Sequence, residues 1–135
     1  INGIIAEVED KIEYKRESLI GSSDALSIND WQKLSEYAKE RNISISPLVQ
    51  GLGHASFVLK HEQYKDLRDD LESDWAFNPL DTKTYKVQYN LYEDALEALP
   101  DGKYLHIGGD EVKTTGRNSG KSALELQLMW LNKIC

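Results

Sequence analysis

Apolar and polar positions along the chain follow three strand-then-helix units. The first predicted strand, 3–10, alternates, and it places Ile4, Ala6 and Val8 on one face and carboxylates on the other. The first predicted helix, 27–41, repeats apolar residues at helical spacing and begins at a serine, which is a typical N-cap residue.

The second and third units follow the same order. The second predicted strand, 43–50, precedes a long polar stretch and then a helix, 79–99, with Pro79 in its first turn. The third predicted strand, 104–109, is a short apolar run of the kind that is buried. The last predicted helix, 122–134, is expected to bury one stripe of side chains, namely Leu124, Leu128, Leu131 and Ile134.

Polar clusters fall at the C-terminal end of each predicted strand. These clusters are Glu9 with Asp10, then His54, then Asp110 with Glu111. Because strands and helices alternate with long crossovers, the pattern predicts an α/β fold with a parallel sheet. The C-terminal ends of parallel strands share one rim, where active sites of such proteins lie, so we expect the three clusters to converge.

Composition bounds the classes of function. The chain has 135 residues and a formal net charge of -7, which argues against a nucleic-acid partner and against an anionic membrane surface. The single Cys135 excludes an internal disulfide, and an exported and a cytoplasmic location both fit. The chain lacks an initiator Met and starts inside a predicted strand, so we expect it to be an excerpt of a longer protein.

Two glycines followed by two adjacent carboxylates carry the candidate chemistry. Asp110 and Glu111 are joined by one peptide bond, so they cannot flank a scissile bond from opposite sides as the two acids of ordinary glycosidases do. They approach a substrate from nearly the same side. This arrangement suits a mechanism in which the first acid holds a substrate group, the second handles a proton, and the substrate supplies its own nucleophile.

Four ordered segments resemble one enzyme family. Residues 106–111, His-Ile-Gly-Gly-Asp-Glu, resemble the His-x-Gly-Gly-Asp-Glu signature of family 20 glycoside hydrolases, the β-N-acetylhexosaminidases. Residues 47–54 resemble the family's upstream strand, which ends in Gly-His. Residues 7–10 followed by Tyr14, and residues 53–61, look most like the hexosaminidase D branch. The similarity covers nearly the whole chain in the right order.

This resemblance implies a fold and a mechanism. The fold is part of a (β/α)₈ TIM barrel, with about three of its eight units. The activity is retaining, substrate-assisted hydrolysis of terminal, non-reducing GlcNAc or GalNAc, with no cofactor and no metal. On this analogy Asp110 orients the acetamido nitrogen, and Glu111 protonates the leaving oxygen and then activates water. His54 hydrogen-bonds toward Glu111, and either Glu9 or Asp10 supports His54.

The resemblance also implies a binding partner and low activity for the 135 residues alone. The partner is a glycan or glycoconjugate that carries N-acetylhexosamine, with no nucleic acid and no membrane. Many family members carry acids where this chain has Leu48 and Gln50, and the family's sugar-binding arginine and acetamido-enclosing aromatics fall outside the 135 residues. We therefore expect little turnover from the 135 residues alone, and self-association through open sheet edges.

Other interpretations stay open at this point. The chain could be a non-catalytic carbohydrate-binding or structural fragment. A Gly-Gly-Asp-Glu string also occurs in nucleotide cyclases that make cyclic di-GMP, although an aromatic residue normally follows it there and Val112 follows it here. Asp110 and Glu111 could also be a solvated turn, and His54 and His106 could be structural histidines.

Overall fold

A computed structural model describes residues 1–135 and contains three strands and four α-helices. In chain order they are β1 (Gly3–Glu7), α1 (Ile28–Lys39), β2 (Ser44–Gly51), α2 (Ser56–Leu59), α3 (Thr82–Ala98), β3 (His106–Gly108) and α4 (Ala123–Ile134). Two 3-10 turns, Glu9–Lys11 and Glu62–Leu67, follow β1 and α2. No helix has the length and apolar character that crossing a membrane requires.

The three strands form one parallel sheet in the order β1-β2-β3. β1 pairs with β2 in register from Gly3 opposite Ser44 to Glu7 opposite Leu48. Consecutive parallel neighbours joined by helices are the arrangement of successive βα units in a (β/α)₈ barrel. The predicted α/β class with a parallel sheet is therefore confirmed, and the chain has the fold of part of such a barrel.

The chain divides into two compact units. The first consists of residues 1–49 and 89–107. Its buried Asp94 holds the segment after β1, because the carboxylate accepts the backbone N–H groups of Lys15 at 2.8 Å and Arg16 at 2.9 Å and also pairs with the Arg16 guanidinium.

The second unit consists of residues 50–88 and 108–135. Its core contains fully buried Phe77, Leu126 and Trp130. The indole Nε1 of Trp130 donates a hydrogen bond to the Gln88 Oε1 at 2.9 Å, so this large side chain buries its one polar group with a partner.

Side-chain caps set the starts of two helices. The Ser27 hydroxyl accepts the Asp30 N–H at 3.1 Å, and α1 runs over Ile28–Lys39, within the predicted range of 27–41. α4 begins with a reciprocal capping box, in which the Ser122 hydroxyl accepts the Glu125 N–H and the Glu125 carboxylate accepts the Ser122 N–H.

Two predicted boundaries are wrong. The strand predicted over 3–10 ends at Glu7, because Glu9 adopts a φ of 31° and starts the 3-10 turn. The helix predicted over 79–99 begins at Thr82, because the Asp81 carboxylate caps it by accepting the Lys83 N–H at 2.8 Å. Pro79 therefore lies in the preceding turn rather than in the first turn of α3.

The stretch between β2 and α3 has more regular structure than its polar composition predicts. α2 and the 3-10 turn bury five apolar side chains, Phe57, Val58, Leu59, Tyr64 and Leu67. The Arg68 guanidinium closes this segment by donating to the Leu59 carbonyl from Nε at 3.1 Å and from Nη2 at 2.8 Å. A helix of four residues is too short to show a periodicity in the sequence.

β3 is shorter and more exposed than the strand predicted over 104–109. It covers His106–Gly108, the Tyr104 side chain is 70% exposed, and His106 is exposed. The prediction of a buried strand is wrong because β3 lies at the edge of the three-stranded sheet.

α4 runs close to the predicted range of 122–134 but buries a different stripe. The buried residues are Leu126, Trp130 and Ile134, whereas Leu124, Leu128 and Leu131 of the predicted stripe are exposed. The helix carries apolar residues on most sides, so periodicity alone fits more than one face. Packing of Trp130 within the second unit decides which face is buried.

Candidate active site

The loop after β2 turns sharply at residues that rarely adopt such a backbone. Leu52 has a φ of 57° and His54 a φ of 52°, in the left-handed region that L side chains avoid. Gly53 between them has no room for a side chain, because a Cβ there would lie 2.9 Å from the Val112 Cβ. Such strain persists only where the surroundings hold it, so the loop presents His54 against residues 110–112.

The loop after β3 depends on a glycine that packs against α4. Gly109 has a φ of 97°, and a Cβ there would lie 2.9 Å from the Trp130 ring. Its carbonyl accepts the Gln127 side-chain amide at 2.9 Å. The backbone beneath Asp110 and Glu111 is therefore fixed by α4, although their side chains project away from the core.

His54 and the two carboxylates form one cluster within the second unit. The His54 Nε2 lies 3.7 Å from the Asp110 Oδ2 and 3.7 Å from the Glu111 Oε2. The side chains of His54, Asp110 and Glu111 are 25%, 62% and 79% exposed. The convergence expected of these three residues is thus present in the structure.

The predicted hydrogen bond from His54 to Glu111 is not formed in this structure. A separation of 3.7 Å exceeds hydrogen-bond length, although it still allows electrostatic attraction when the imidazole is protonated. The Nε2 atom is buried and makes no hydrogen bond. Catalytic hydrogen bonds are often long before substrate binds, so this distance leaves the role of His54 a prediction.

The two carboxylates border an open cavity of about 570 Å³. Its walls are formed by Trp75, Gly109, Asp110, Glu111, Val112, Lys113 and Gln127. The cavity therefore combines acceptor oxygens, one ammonium and one indole, and sugars need both polar groups and an apolar ring face to bind.

Two side chains at this cavity, Trp75 and Gln127, are not among the predicted site residues, although the loop position of Trp75 allowed that it could border a site. Trp75 packs against His54 with 4.3 Å between ring centroids, and Gln127 holds the Gly109 carbonyl. An aromatic residue within a polar loop was the one local signal for Trp75. Gln127 gave no signal, because nothing in a helical pattern shows which distant carbonyl a side-chain amide will meet.

A buried carboxylate fixes the loop that follows Asp110 and Glu111. Asp69 accepts the Thr115 N–H at 2.7 Å through Oδ2 and the Gly116 N–H at 2.7 Å through Oδ1. The Arg117 guanidinium donates to the backbone carbonyl of Arg68 at 3.0 Å and 2.9 Å. The loop is therefore anchored at its far end as well as at Gly109.

Glu9 and Asp10 lie in the 3-10 turn of the first unit. The Tyr14 hydroxyl donates to the Glu9 carbonyl at 2.6 Å. Burial, with the Asp94 charge next, raises the pKa of Tyr14 far above its ordinary value, so this hydroxyl stays a donor. The Asp10 carbonyl accepts the N–H and the hydroxyl of Ser22 at 2.8 and 2.9 Å. Support of His54 by either acid stays a prediction.

The cluster offers the donor atoms that a metal ion would need. One ligand atom each from His54, Asp110 and Glu111 lies within 4.8 Å of the others. Ligand atoms around tetrahedral zinc are about 3.3 Å apart, so the side chains would have to close around an ion. The chemistry predicted for the two acids needs no metal, and we assign none.

The sequence profile described as "Glycosyl hydrolase family 20, catalytic domain" matches residues 7–129, which include all three clusters of candidate residues. The chain belongs to glycosyl hydrolase family 20. Hexosaminidase D of Bos taurus is 29% identical over 133 residues, which cover 98% of this chain and 37% of the bovine protein. The chain therefore spans about a third of the length of the curated relatives it matches.

Solved structures of family 20 proteins share this fold. The β-N-acetylhexosaminidase of Bacteroides fragilis aligns with a TM-score of 0.75 at 21% identity, over 99% of this chain and 33% of that protein. A mutant Streptomyces plicatus β-hexosaminidase in complex with product (GlcNAc) aligns with a TM-score of 0.65 at 20% identity, over 83% of this chain and 27% of that one. The resemblance of the sequence to family 20 is confirmed, and the nucleotide-cyclase interpretation gains no support.

Proposed function

We propose that the complete protein carrying this chain hydrolyses terminal, non-reducing N-acetylhexosamine residues with retention of configuration. The observation that supports this most directly is the cluster of two adjacent, open carboxylates with an imidazole nitrogen 3.7 Å from each, in a chain of glycosyl hydrolase family 20.

The first chemical step uses Glu111 as a general acid. The acetamido oxygen of the substrate attacks the anomeric carbon, and the bond to the leaving oxygen breaks as that oxygen takes the proton of Glu111. An oxazolinium ion remains on the sugar. Glu111 suits this role because its carboxylate lies at the open cavity wall, with 79% of the side chain exposed in the absence of substrate.

The second step reverses the direction of proton transfer. Glu111 accepts a proton from water, the water oxygen bonds to the anomeric carbon, and the acetamido oxygen leaves as the ring opens. Two displacements at one carbon return the original configuration. The same carboxylate can serve both steps because a group that gives a proton in one direction is a base afterwards.

Asp110 orients the nucleophile. Its carboxylate accepts the acetamido N–H, which turns the acetamido oxygen toward the anomeric carbon and balances the positive charge that develops on the ring. A neighbour one peptide bond from the acid is well placed for this, since the acetamido group and the leaving oxygen are on adjacent sugar carbons. The exposed Asp110 carboxylate has room to accept this donor.

His54 supports the acid pair. With its Nε2 atom 3.7 Å from both carboxylates, a small closure on substrate binding brings it to hydrogen-bond distance of Glu111. Glu9 and Asp10 remain alternatives for the group behind His54. The sugar is GlcNAc or GalNAc, and the GlcNAc product held by the Streptomyces plicatus relative supports GlcNAc as the first substrate to test.

Turnover of an aryl N-acetyl-β-glucosaminide by the complete protein tests this proposal. Glu111→Gln is expected to lower kcat by about 10²- to 10⁴-fold, the range typical of general acid catalysis. Asp110→Asn should lower kcat as well, whereas Glu72→Gln, which changes an exposed glutamate of the same unit, should not. Proton NMR of the first-formed sugar should show the β anomer.

Two results would contradict the proposal. One is full activity in Glu111→Gln. The other is release of the α anomer, which would mean inversion by directly attacking water. Binding of GlcNAc without any turnover would instead favour the non-catalytic carbohydrate-binding interpretation.

A further inference from the structure

Trp75 forms part of the cavity wall and also touches the candidate supporting residue. The indole is 42% exposed and borders the same cavity as Asp110 and Glu111. Its ring centroid lies 4.3 Å from that of His54, with 52° between the ring planes. Tilted aromatic contacts at such separations are attractive beyond the burial of their area.

Backbone hydrogen bonds fix Trp75 beside His54. The Trp75 carbonyl accepts the Ala55 N–H at 2.9 Å, and the Phe77 N–H donates to the Leu52 carbonyl at 2.8 Å. These two bonds join the segment 75–77 to the loop on both sides of His54. The ring contact is therefore a consequence of two anchored backbones rather than of one mobile side chain.

Two more hydrogen bonds hold the residues on either side of Trp75. The Ser56 hydroxyl donates to the Asp74 carboxylate at 2.8 Å, and the Asp69 N–H donates to the Ala76 carbonyl at 2.9 Å. Asp74 and Ala76, the two neighbours of Trp75, are thus each hydrogen-bonded to another segment of the second unit. An indole held this way can restrict the rotation of a neighbouring ring.

His54 needs such a restraint more than an ordinary histidine does. Its backbone is in the strained left-handed region, and its Nε2 atom points at the two carboxylates without a hydrogen bond to keep it there. A ring that rotates about its side-chain bonds would leave Nε2 out of reach of Glu111. The Trp75 ring is the aromatic partner that packs against the imidazole.

We propose that Trp75 is a positioning residue that holds the His54 imidazole in the orientation in which Nε2 faces Asp110 and Glu111. This inference rests on the proposed function for its effect on turnover. The contact itself does not depend on that function, so the two can fail separately.

Kinetics of the complete protein give the first test. Trp75→Ala should lower kcat on the aryl glycoside about tenfold or more, since small misplacements near the reacting groups cost up to about a hundredfold. KM should change little, and Trp75→Phe, which keeps an aromatic contact, should recover most of the loss. Leu71→Ala is the matched control, because it removes an exposed apolar side chain from the same loop.

A double-variant cycle separates positioning from direct sugar binding. If Trp75 acts through His54, Trp75→Ala adds no further loss of kcat in a His54→Asn background, because residues that act as a unit are not additive. If Trp75 instead binds the sugar ring, KM rises and the two losses multiply. That second result would overturn the positioning role, as would unchanged kinetics in Trp75→Ala.

Ring-current shifts give a readout that needs no activity. With ¹³Cε1-labelled histidine in the complete protein, the His54 signal is assigned by its loss in His54→Asn. We expect this signal to move in Trp75→Ala, to keep part of its shift in Trp75→Phe, and to stay in place in Leu71→Ala. If the protein shows no turnover but these shifts occur, the proposed function fails and the contact stands. An unmoved signal in Trp75→Ala overturns the inference whatever the activity.

Discussion

Asp69 and the pair Asp110 with Glu111 are carboxylates of the same unit that have opposite environments. Asp69 is buried and accepts three hydrogen bonds, from the Thr115 N–H, the Thr115 hydroxyl and the Gly116 N–H. The side chains of Asp110 and Glu111 are mostly exposed, and the polar group near them is an imidazole at 3.7 Å.

This difference separates a structural acid from an acid that is open to a ligand. Both oxygens of Asp69 accept hydrogen bonds from donors of its own chain and the residue is buried, so the carboxylate stabilises the fold. The oxygens of Asp110 and Glu111 are open on the cavity side. The two environments meet on one loop, since Asp69 fixes Thr115 and Gly116 only a few residues after the pair.

Loss of the Asp69 carboxylate is the largest effect that this comparison predicts. Asp69→Ala should lower the free energy of unfolding by about 3 kcal/mol, because it leaves the buried Gly116 N–H and the part-buried N–H and hydroxyl of Thr115 without their acceptor. Chemical denaturation of the complete protein measures this. Asp70→Ala is the neighbouring control, since Asp70 is exposed and its carboxylate accepts the Glu72 N–H at 3.0 Å. An equal loss from both variants would break the distinction.

The sequence predicts the open acids better than the buried one. Asp110 and Glu111 follow two glycines at the end of a strand, so their place at a sheet rim can be argued from local pattern. Asp69 lies in a polar run where any acid looks solvent-exposed. Its burial depends on Thr115 and Gly116, which are 46 and 47 residues further along the chain, and no local pattern encodes that pairing.

The same limit explains what the sequence predicts of the fold. Strand and helix order can be predicted because periodicity and caps such as Ser27 are local. The buried face of α4 could not be chosen, because apolar residues surround that helix and Trp130 selects a face through Gln88 and Gly109. The contact of Trp75 with His54 is equally non-local, since two loops must be brought together before it exists.

A gain in stability at the proposed acid would sharpen the comparison. Glu111 has a φ of 48°, a backbone conformation that costs an L residue about 1–2 kcal/mol and costs glycine little. Glu111→Gly should therefore abolish turnover and yet raise the free energy of unfolding by about 0.5–1 kcal/mol. Differential scanning calorimetry and turnover of the aryl glycoside test the two halves.

Asn118→Gly provides the control for that gain. Asn118 also has a positive φ, 60°, but asparagine tolerates this region, so the gain there should be smaller. A net loss of stability in Glu111→Gly would mean that the Glu111 side chain contributes to folding. Glu111 would then be an acid that stabilises the fold, as Asp69 is, and not only one that is open to a ligand.

Glu125 provides an intermediate case and the smallest expected effect. Its carboxylate is exposed like those of the pair, yet it accepts the Ser122 N–H at 2.7 Å and the Ser122 hydroxyl at 2.8 Å. The backbone hydrogen bond from Ser122, followed by the one from its hydroxyl, lowers the pKa of Glu125 below its ordinary value of 4.5. The folded protein thus releases this proton more readily than the unfolded chain does.

The pH dependence of the melting temperature tests this case. Because the pKa is lowered by folding, the charged form stabilises the protein above about pH 4.5, and that contribution is lost as the pH falls through the folded pKa. Glu125→Gln keeps a capping amide but removes the titration, so its Tm should lie slightly below that of the wild type at pH 7 and approach it toward pH 3. Ser122→Ala should shrink the pH-dependent difference, since it removes the hydroxyl donor. A Tm difference that stays constant from pH 7 to pH 3 would show that the ionised form of an exposed acid such as Glu125 does not stabilise the fold through these hydrogen bonds. Only buried acids such as Asp69 would then be structural.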